Sequence, residues 1–324
     1  MKKIFLYAAA ALAAVSLLGG CSSGEGAQIN VGVLKGPTGI GAVELMKKSS
    51  EGKTEGNYNI SVANAADEIN GKIAKGELDI AAVPTNVAPV LYNKDNGAYS
   101  VLAVNTLGVL YVLENGNTIN SVSDLSGKTV YMAGQGAVPE YVMEYILEEN
   151  GINDTEIVFM TEHAEAAAAL ADGRADIVVL PEPNVTAVMM QNENARIALD
   201  LTEEWKAVSG NDMAMGCIIA RKDFIEANPE AVETFLDEYE DSIEYVNENI
   251  KDAAVLVEES GIMASAAAAE KAIPNCNIVY IDGEDMEKVL NGFYEVLYEA
   301  EPKSIGGSLP GKDFYYNGDS YDVD

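Results

Sequence analysis

The chain has 324 residues, with 20 Lys+Arg against 52 Asp+Glu and a formal net charge of −32. Hydrophobic residues make up 48%, enough for a sizeable core, and the length favours two domains. A field this negative repels phosphate backbones, so nucleic acid is not an expected partner. A single histidine removes most metal-ligand and nucleophile–base chemistries, and no metal, cofactor or catalytic residue is expected.

Lys2 and Lys3 precede an uncharged, mostly apolar run from Ile4 to Leu18. That run is shorter than the ~20 residues a bilayer span needs and reads as an export signal. Leu18-Gly19-Gly20-Cys21 ends it. Small residues before a cysteine at this place resemble the lipobox of bacterial lipoproteins. The resemblance implies removal of residues 1–20 and a diacylglycerol on the Cys21 sulfur; the alternative is an ordinary signal peptide with a coincidental cysteine. Residues 21–27 are small and polar and suit a tether. The expected location is extracytoplasmic, on the bacterial cell membrane through the lipid alone. Of the other cysteines, Cys217 lies in the apolar run Met213 to Ala220. Export permits a bond between Cys217 and Cys276, but spacing does not decide it.

The chain then repeats itself. Gly76, Asp79 and Pro84 recur as Gly173, Asp176 and Pro181, and Asn86 and Val87 recur one residue later as Asn184 and Val185. Each glycine suits the left-handed position that ends a helix, and each aspartate suits a turn. The runs Ile80–Val83 and Ile177–Leu180 read as strands buried on both faces, as in a parallel sheet, stopped by proline. Upstream of the first copy stand a strand at Ile29–Leu34, the loop Gly36-Pro37-Thr38-Gly39 and a helix over Ala42–Lys48. Upstream of the second stand a strand at Lys128–Met132, the loop Gly134-Gln135-Gly136 and a helix over Pro139–Asn150, closed by Gly151. The spacing therefore predicts two copies of a βαβαβ-like unit.

Beyond residue 220 the pattern is mainly helical. Asn228-Pro229-Glu230 opens a helix whose stripe is Val232, Phe235, Leu236, Tyr239, Ile243 and Val246. Helices are predicted over Met263–Ile273 and Glu284–Ala300, with a strand at Asn277–Ile281 between them. The acidic end, with Asp319, Asp322 and Asp324, matches no calcium-loop spacing and reads as a solvated tail.

The lipobox, the paired Gly-x-x-Asp-strand-Pro segments and the segment Pro302 to Tyr316 resemble type II periplasmic-binding-like solute receptors. The nearest branch is the nitrate/sulfonate/taurine and thiamine-pyrimidine receptors of ABC importers. The resemblance covers residues 28–316. It implies an α/β fold of two similar lobes, with mainly parallel sheets joined by two crossover strands, near Asn105–Tyr111 and Asn211–Gly216. Lobe 1 is then discontinuous, 28–108 plus 214–324, and lobe 2 is 109–213. It further implies a monomer that binds a small-molecule solute and delivers it to an ABC permease and its ATPase. Thr106 and Met213 are hinge-side contacts on the resemblance alone.

In open α/β sheets, ligands bind beyond the carboxyl ends of the strands. Four loops fall there: Lys35, Gly36, Pro37 and Thr38, then Thr85 and Asn86, then Gln135 and Gly136, then Glu182 and Asn184. The Gly-rich pairs open helices and present backbone N–H groups, or they only permit tight turns. Thr85, Asn86 and Asn184 equally suit helix caps. Glu182 is the one anion and Lys35 the one cation among these loops. The three arginines, Arg174, Arg196 and Arg221, lie elsewhere, so a guanidinium clamp for a sulfonate or carboxylate is not visible. A neutral or weakly cationic polar solute, bonded to Glu182 and Asn86, is expected. The competing classes are an enzyme on the same scaffold, like the thiamine-pyrimidine synthases, and a pocketless surface lipoprotein. His163 is expected at the surface and Trp205 near the hinge.

Overall fold

A computed structural model describes residues 27–318. The residues read as an export signal, Cys21, and Asp319, Asp322 and Asp324 lie outside the described residues.

Strands β1 (Gln28–Leu34), β2 (Asn57–Ala63), β3 (Ile80–Pro84) and β4 (Tyr99–Thr106) begin the first sheet. The chain then crosses to build a second sheet from β5 (Leu110–Asn115), β6 (Thr129–Ala133), β7 (Glu156–Met160), β8 (Ile177–Pro181) and β9 (Ala195–Asp200). It returns to the first with β10 (Gly216–Arg221) and β11 (Ile278–Ile281). The spatial orders are β11-β4-β10-β3-β1-β2 and β7-β6-β8-β5-β9. This is the two-lobed α/β architecture that the resemblance implies.

The internal repeat folds as two equivalent units. Each central strand has parallel neighbours on both sides, giving β2-β1-β3 in one lobe and β7-β6-β8 in the other. Beside the third strand of each unit lies an antiparallel one, β10 on β3 and β5 on β8. β4 and β9 then pair antiparallel with these. The ladders are therefore mixed, but β1–β4 all point one way and so do β6–β9.

Local chemistry explains the repeat. Gly76 and Gly173 both take the left-handed backbone, with φ of 71° and 70°, where a side chain would be strained. Ile80–Val83 and Ile177–Leu180 are buried throughout. Asp79 does not bond its own turn. Its carboxylate accepts from the backbone N–H and the side chain of Asn30, each at 2.9 Å, and faces Arg221 at 3.6 Å. The aspartate thus ties β3 to β1 at the end of the sheet where β1 enters.

Successive residues of β3 alternate between two cores. Ile80 and Ala82 join Val31, Val33 and the stripe of the helix Pro229–Glu248. Ala81 and Val83 join the other core, which also takes in Met286, Leu290 and Phe293 of the helix Gly283–Ala300. Period-two alternation with apolar residues on both faces is what a covered sheet requires. Phe314 is fully buried, and Tyr316 N–H donates to the Val101 carbonyl at 2.9 Å, so the aromatic end of the chain closes lobe 1.

The second core runs across the lobe boundary. Trp205, the only tryptophan, is fully buried in the helix Leu201–Ser209. Its ring lies 5.0 Å from Tyr145 on one lobe and 5.4 Å from Phe293 on the other. Its place near the hinge is as the sequence suggests. Replacing Phe293 with alanine removes a fully buried ring from this junction, and the expected loss is about 3–5 kcal/mol. Urea unfolding checks it, with Tyr298→Ala, on a half-exposed ring of the same helix, as the control of small effect.

Candidate functional site

The strand directions put one end of each sheet at the lobe boundary. β1, β3, β4, β6 and β8 end there, while β5 and β10 begin there. The four loops expected to meet a solute follow β1, β3, β6 and β8, and the crossovers at residues 106–110 and 210–216 lie at the same end.

In lobe 1 the parts converge closely. Gly216 pairs with Pro84 on one side and Thr106 on the other. A Cβ on Gly216 would overlap the Thr38 methyl group, Asn105 Oδ1 and Thr106 Cβ. Thr85 N–H donates to the Met215 carbonyl at 3.1 Å, and Met215 N–H donates to the Thr106 carbonyl at 2.9 Å. Thr38, Thr85 and Thr106 are thus brought to one place. Asn105, buried at 1% exposure, donates through Nδ2 to the Thr38 carbonyl at 3.1 Å and to Tyr239 OH at 2.9 Å. Its Oδ1 accepts from Thr106 Oγ1 at 3.2 Å. The amide therefore fixes the loop after β1 against the end of β4. Thr85 Oγ1 is buried without an N–H or O–H partner, and the Cys217 thiol lies beside it. Burial pushes that thiol well above its ordinary value, so it stays protonated, and Cys217 and Cys276 are both free.

The other lobe 1 candidates fall as follows. Gly36 is buried, Pro37 and Thr38 half-buried and Lys35 exposed. Gly36 and Asn86 precede helices that receive no side-chain cap from them. Asn86 instead donates to the Ser304 carbonyl at 3.4 Å, anchoring the C-terminal segment. Met213 is fully buried, and its methyl group occupies the space a Cβ on Gly108 would need.

Lobe 2 is arranged differently. Gln135 and Gly136 are exposed and Asn184 half-buried. The Gly136 N–H donates to the carboxylate of Glu140 in the first turn of the next helix. Glu182, expected to face the solute, is turned inward and only 2% exposed. It accepts from Thr186 N–H at 3.1 Å, Thr186 Oγ1 at 3.0 Å and Asn275 Nδ2 at 3.3 Å. Burial raises its carboxyl above the ordinary range, and these three donors partly offset the rise. The physical reason for the inward turn is plain: a helix start on one side and an amide from the other lobe supply the donors a buried carboxylate needs.

His163 is half-buried rather than at the surface. It opens the helix after β7, burial lowers its pKa, and its Nδ1 is buried without a partner. Every arginine stands at the sheet end away from the lobe boundary. Arg221 follows β10 and pairs with Asp79 and Asp223, Arg196 pairs with Glu114 at the start of β9, and Arg174 sits beside Asp172 before β8.

Sequence reasoning missed Asn105, Gly216, Tyr239 and Asn275. A polar residue ending the apolar run of β4 was a readable signal for Asn105. Gly216 and Asn275 matter only through residues far away in the chain. Gly216→Ala is expected to cost about 1–3 kcal/mol through overpacking against three fixed neighbours, measured as a lower urea midpoint. Gly71→Ala, on a helix with nothing near its Cβ position, serves as the control.

Comparisons with known proteins fit this geometry. No curated protein matches the chain. An ABC transporter protein from Parabacteroides distasonis is similar with a TM-score of 0.76 and 24% identity, covering 89% of this chain and 98% of that one. The periplasmic aliphatic sulphonate binding protein SsuA from Escherichia coli is similar with a TM-score of 0.72 and 15% identity, covering 92% and 94%. The periplasmic nitrate-binding protein NrtA from Synechocystis PCC 6803 follows at 0.53 and 15%, covering 72% and 66%. At these identities the likeness shows the fold, two α/β lobes of the periplasmic-binding type. The NMT1/THI5-like family matches residues 72–253, more than half of the chain, which crosses both lobes and both crossovers: the protein belongs to that family.

Proposed function

We propose that this protein is an extracytoplasmic solute receptor of an ABC importer, lipid-anchored at Cys21, which captures a small polar molecule between its lobes and presents it to the permease. The observation that carries the reading is the convergence of Thr38 and Thr106 on Gly216, with Thr85 bonded to the adjacent Met215, at the end of the sheet where both crossovers lie. A site at a hinge changes shape when the lobes move, and that couples binding to recognition by a partner. The proposed lobes are 28–108 with 214–324, and 109–213. The SsuA-like and NrtA-like folds support capture, since those proteins are named for binding sulphonate and nitrate.

Binding is favoured over catalysis by the chemistry of these groups. They are hydroxyls and amides, and the one thiol among them is held in its protonated form by burial, where it is a poor nucleophile. The charge of the solute follows from the same inventory. With every arginine at the far end of its sheet, and lobe 2 amides already taken by Glu140 and Glu182, the site suits a neutral or weakly cationic solute. A nitrogen heterocycle meets that description.

Two experiments test this. Thermal shift and X-ray scattering with aminopyrimidines, taurine, an alkanesulfonate and nitrate should show one heterocycle raising the melting temperature and reducing the radius of gyration. At 100-fold excess over Kd the stabilisation is about 2.7 kcal/mol. Tight sulfonate binding would overturn the charge assignment, and binding without compaction would overturn capture between lobes. Separately, Cys21→Ser should release the protein from membranes and abolish labelling by a palmitate analogue; an unlabelled wild type removes the anchor.

A further inference from the structure

The lobes are joined by a third element besides the two crossovers. The segment Asn275 to Asn277 leads into β11 of lobe 1 and bonds both to the first crossover and to lobe 2. The Asn277 carbonyl accepts from Leu107 N–H at 3.0 Å, and its side chain donates to the Gly108 carbonyl. Asn277 adopts a left-handed backbone with φ of 42°, an uncommon conformation for a residue with a side chain. One turn earlier, Asn275 reaches into lobe 2. Its carbonyl accepts from Tyr111 OH at 3.0 Å and its amide donates to Glu182 Oε1 at 3.3 Å.

We propose that Asn275 and Glu182 form a latch that fastens lobe 2 onto lobe 1, with Asn277 holding the latch segment to the first crossover while the lobes part. The chemistry suits a fastening that reopens. A buried carboxylate with no cation beside it is tolerated only while donors surround it, and water replaces the Asn275 donor once the lobes separate. Thr186, on the same lobe as Glu182, keeps its two bonds in either state. Among the described residues, the hydrogen bonds of Asn275, to Glu182 and to Tyr111, are the ones that span the lobes here and part on opening. The Asn275 side chain is half-buried, so it can be changed without opening a cavity in either core.

The latch deepens the capture reading and takes its purpose from it, but its test uses no solute. Spin labels at Lys35 and Gln135, exposed positions on the two lobes, report the separation by pulsed EPR on the full chain. Asn275→Asp places a second carboxylate against Glu182, and the main distance should shift to longer values. Asn275→Ala should shift it less, in the same direction. Adding Glu182→Gln to Asn275→Asp removes the repulsion and should return the distribution towards wild type. A wild-type distribution in both single variants overturns the latch. So does a shift that Glu182→Gln leaves in place, since that indicates general loosening. Should Asn275→Asp fail to fold, the Asn275→Ala distribution decides alone. A failed solute panel leaves these outcomes untouched, and a failed latch leaves solute capture standing.

Discussion

The insertion of β10 between β3 and β4 is the constraint from which the rest of the structure follows. A strand arriving from the other lobe must enter antiparallel, with Gly216 as its first residue and no room for a side chain. Its arrival brings Met215 between Thr85 and Thr106 and sets Gly216 against Thr38. One backbone event thus assembles three hydroxyl residues separated by almost seventy positions in the chain. The mirror event occurs in lobe 2, where β5 enters beside β8 and leads Tyr111 towards Asn275. Each lobe is completed by a strand connected through the boundary, so neither sheet is whole without the crossovers.

How far the sequence carried depends on the range of the interaction. The Gly-x-x-Asp-strand-Pro repeat was legible because each of its features acts over a few residues. A left-handed glycine, a run buried on both faces and a proline stop are written locally, and both copies fold as read. The loops after β1, β3, β6 and β8 followed from strand direction alone. Glu182 shows where that logic stops. An uncharged loop around one glutamate reads as a solute contact, yet its donors are Thr186, four residues on, and Asn275, on another lobe. Asp79 misled in the same way, since its partner Asn30 lies on the neighbouring strand. The half-buried His163 is a third case: acids beside it in sequence suggested solvent, while helix packing decided its exposure.

The strong negative charge has a structural counterpart in how helix starts are satisfied. Glu140 takes the Gly136 N–H, Glu165 takes the Thr161 N–H at 3.0 Å, and Glu182 takes the Thr186 N–H. Carboxylates at these positions interact well with the helix dipole and with otherwise unbonded N–H groups. All three N–H groups lie where the parallel strands of lobe 2 end. In lobe 1 the start after β2 is met in the same way, with Glu68 taking the Asn64 N–H at 3.4 Å, while the starts at Gly36 and Asn86 carry no side-chain cap. Two units with one topology therefore differ after their first and third strands: in lobe 2 acids of the chain itself bond the amides there, and in lobe 1 no side chain caps the helices that follow.

That asymmetry bears on how such a protein keeps an anionic surface without closing its own boundary to anionic or neutral partners. Repulsion between lobes grows with every acid near the junction, and Glu182 is buried there without a cation. Its charge is met by one backbone amide, one hydroxyl and one side-chain amide, all uncharged donors, so the contact gains no strong Coulombic attraction. A salt bridge at the same place would hold the lobes more tightly and cost more to break once desolvated. The three arginines that could have formed one are instead committed to Asp79, Glu114 and Asp172 at the far ends of the sheets, where β1, β5 and the turn before β8 need bracing. Arginine pairs stand at the far ends of the sheets, and the hydrogen bonds that Asn275 makes across the boundary involve no cation.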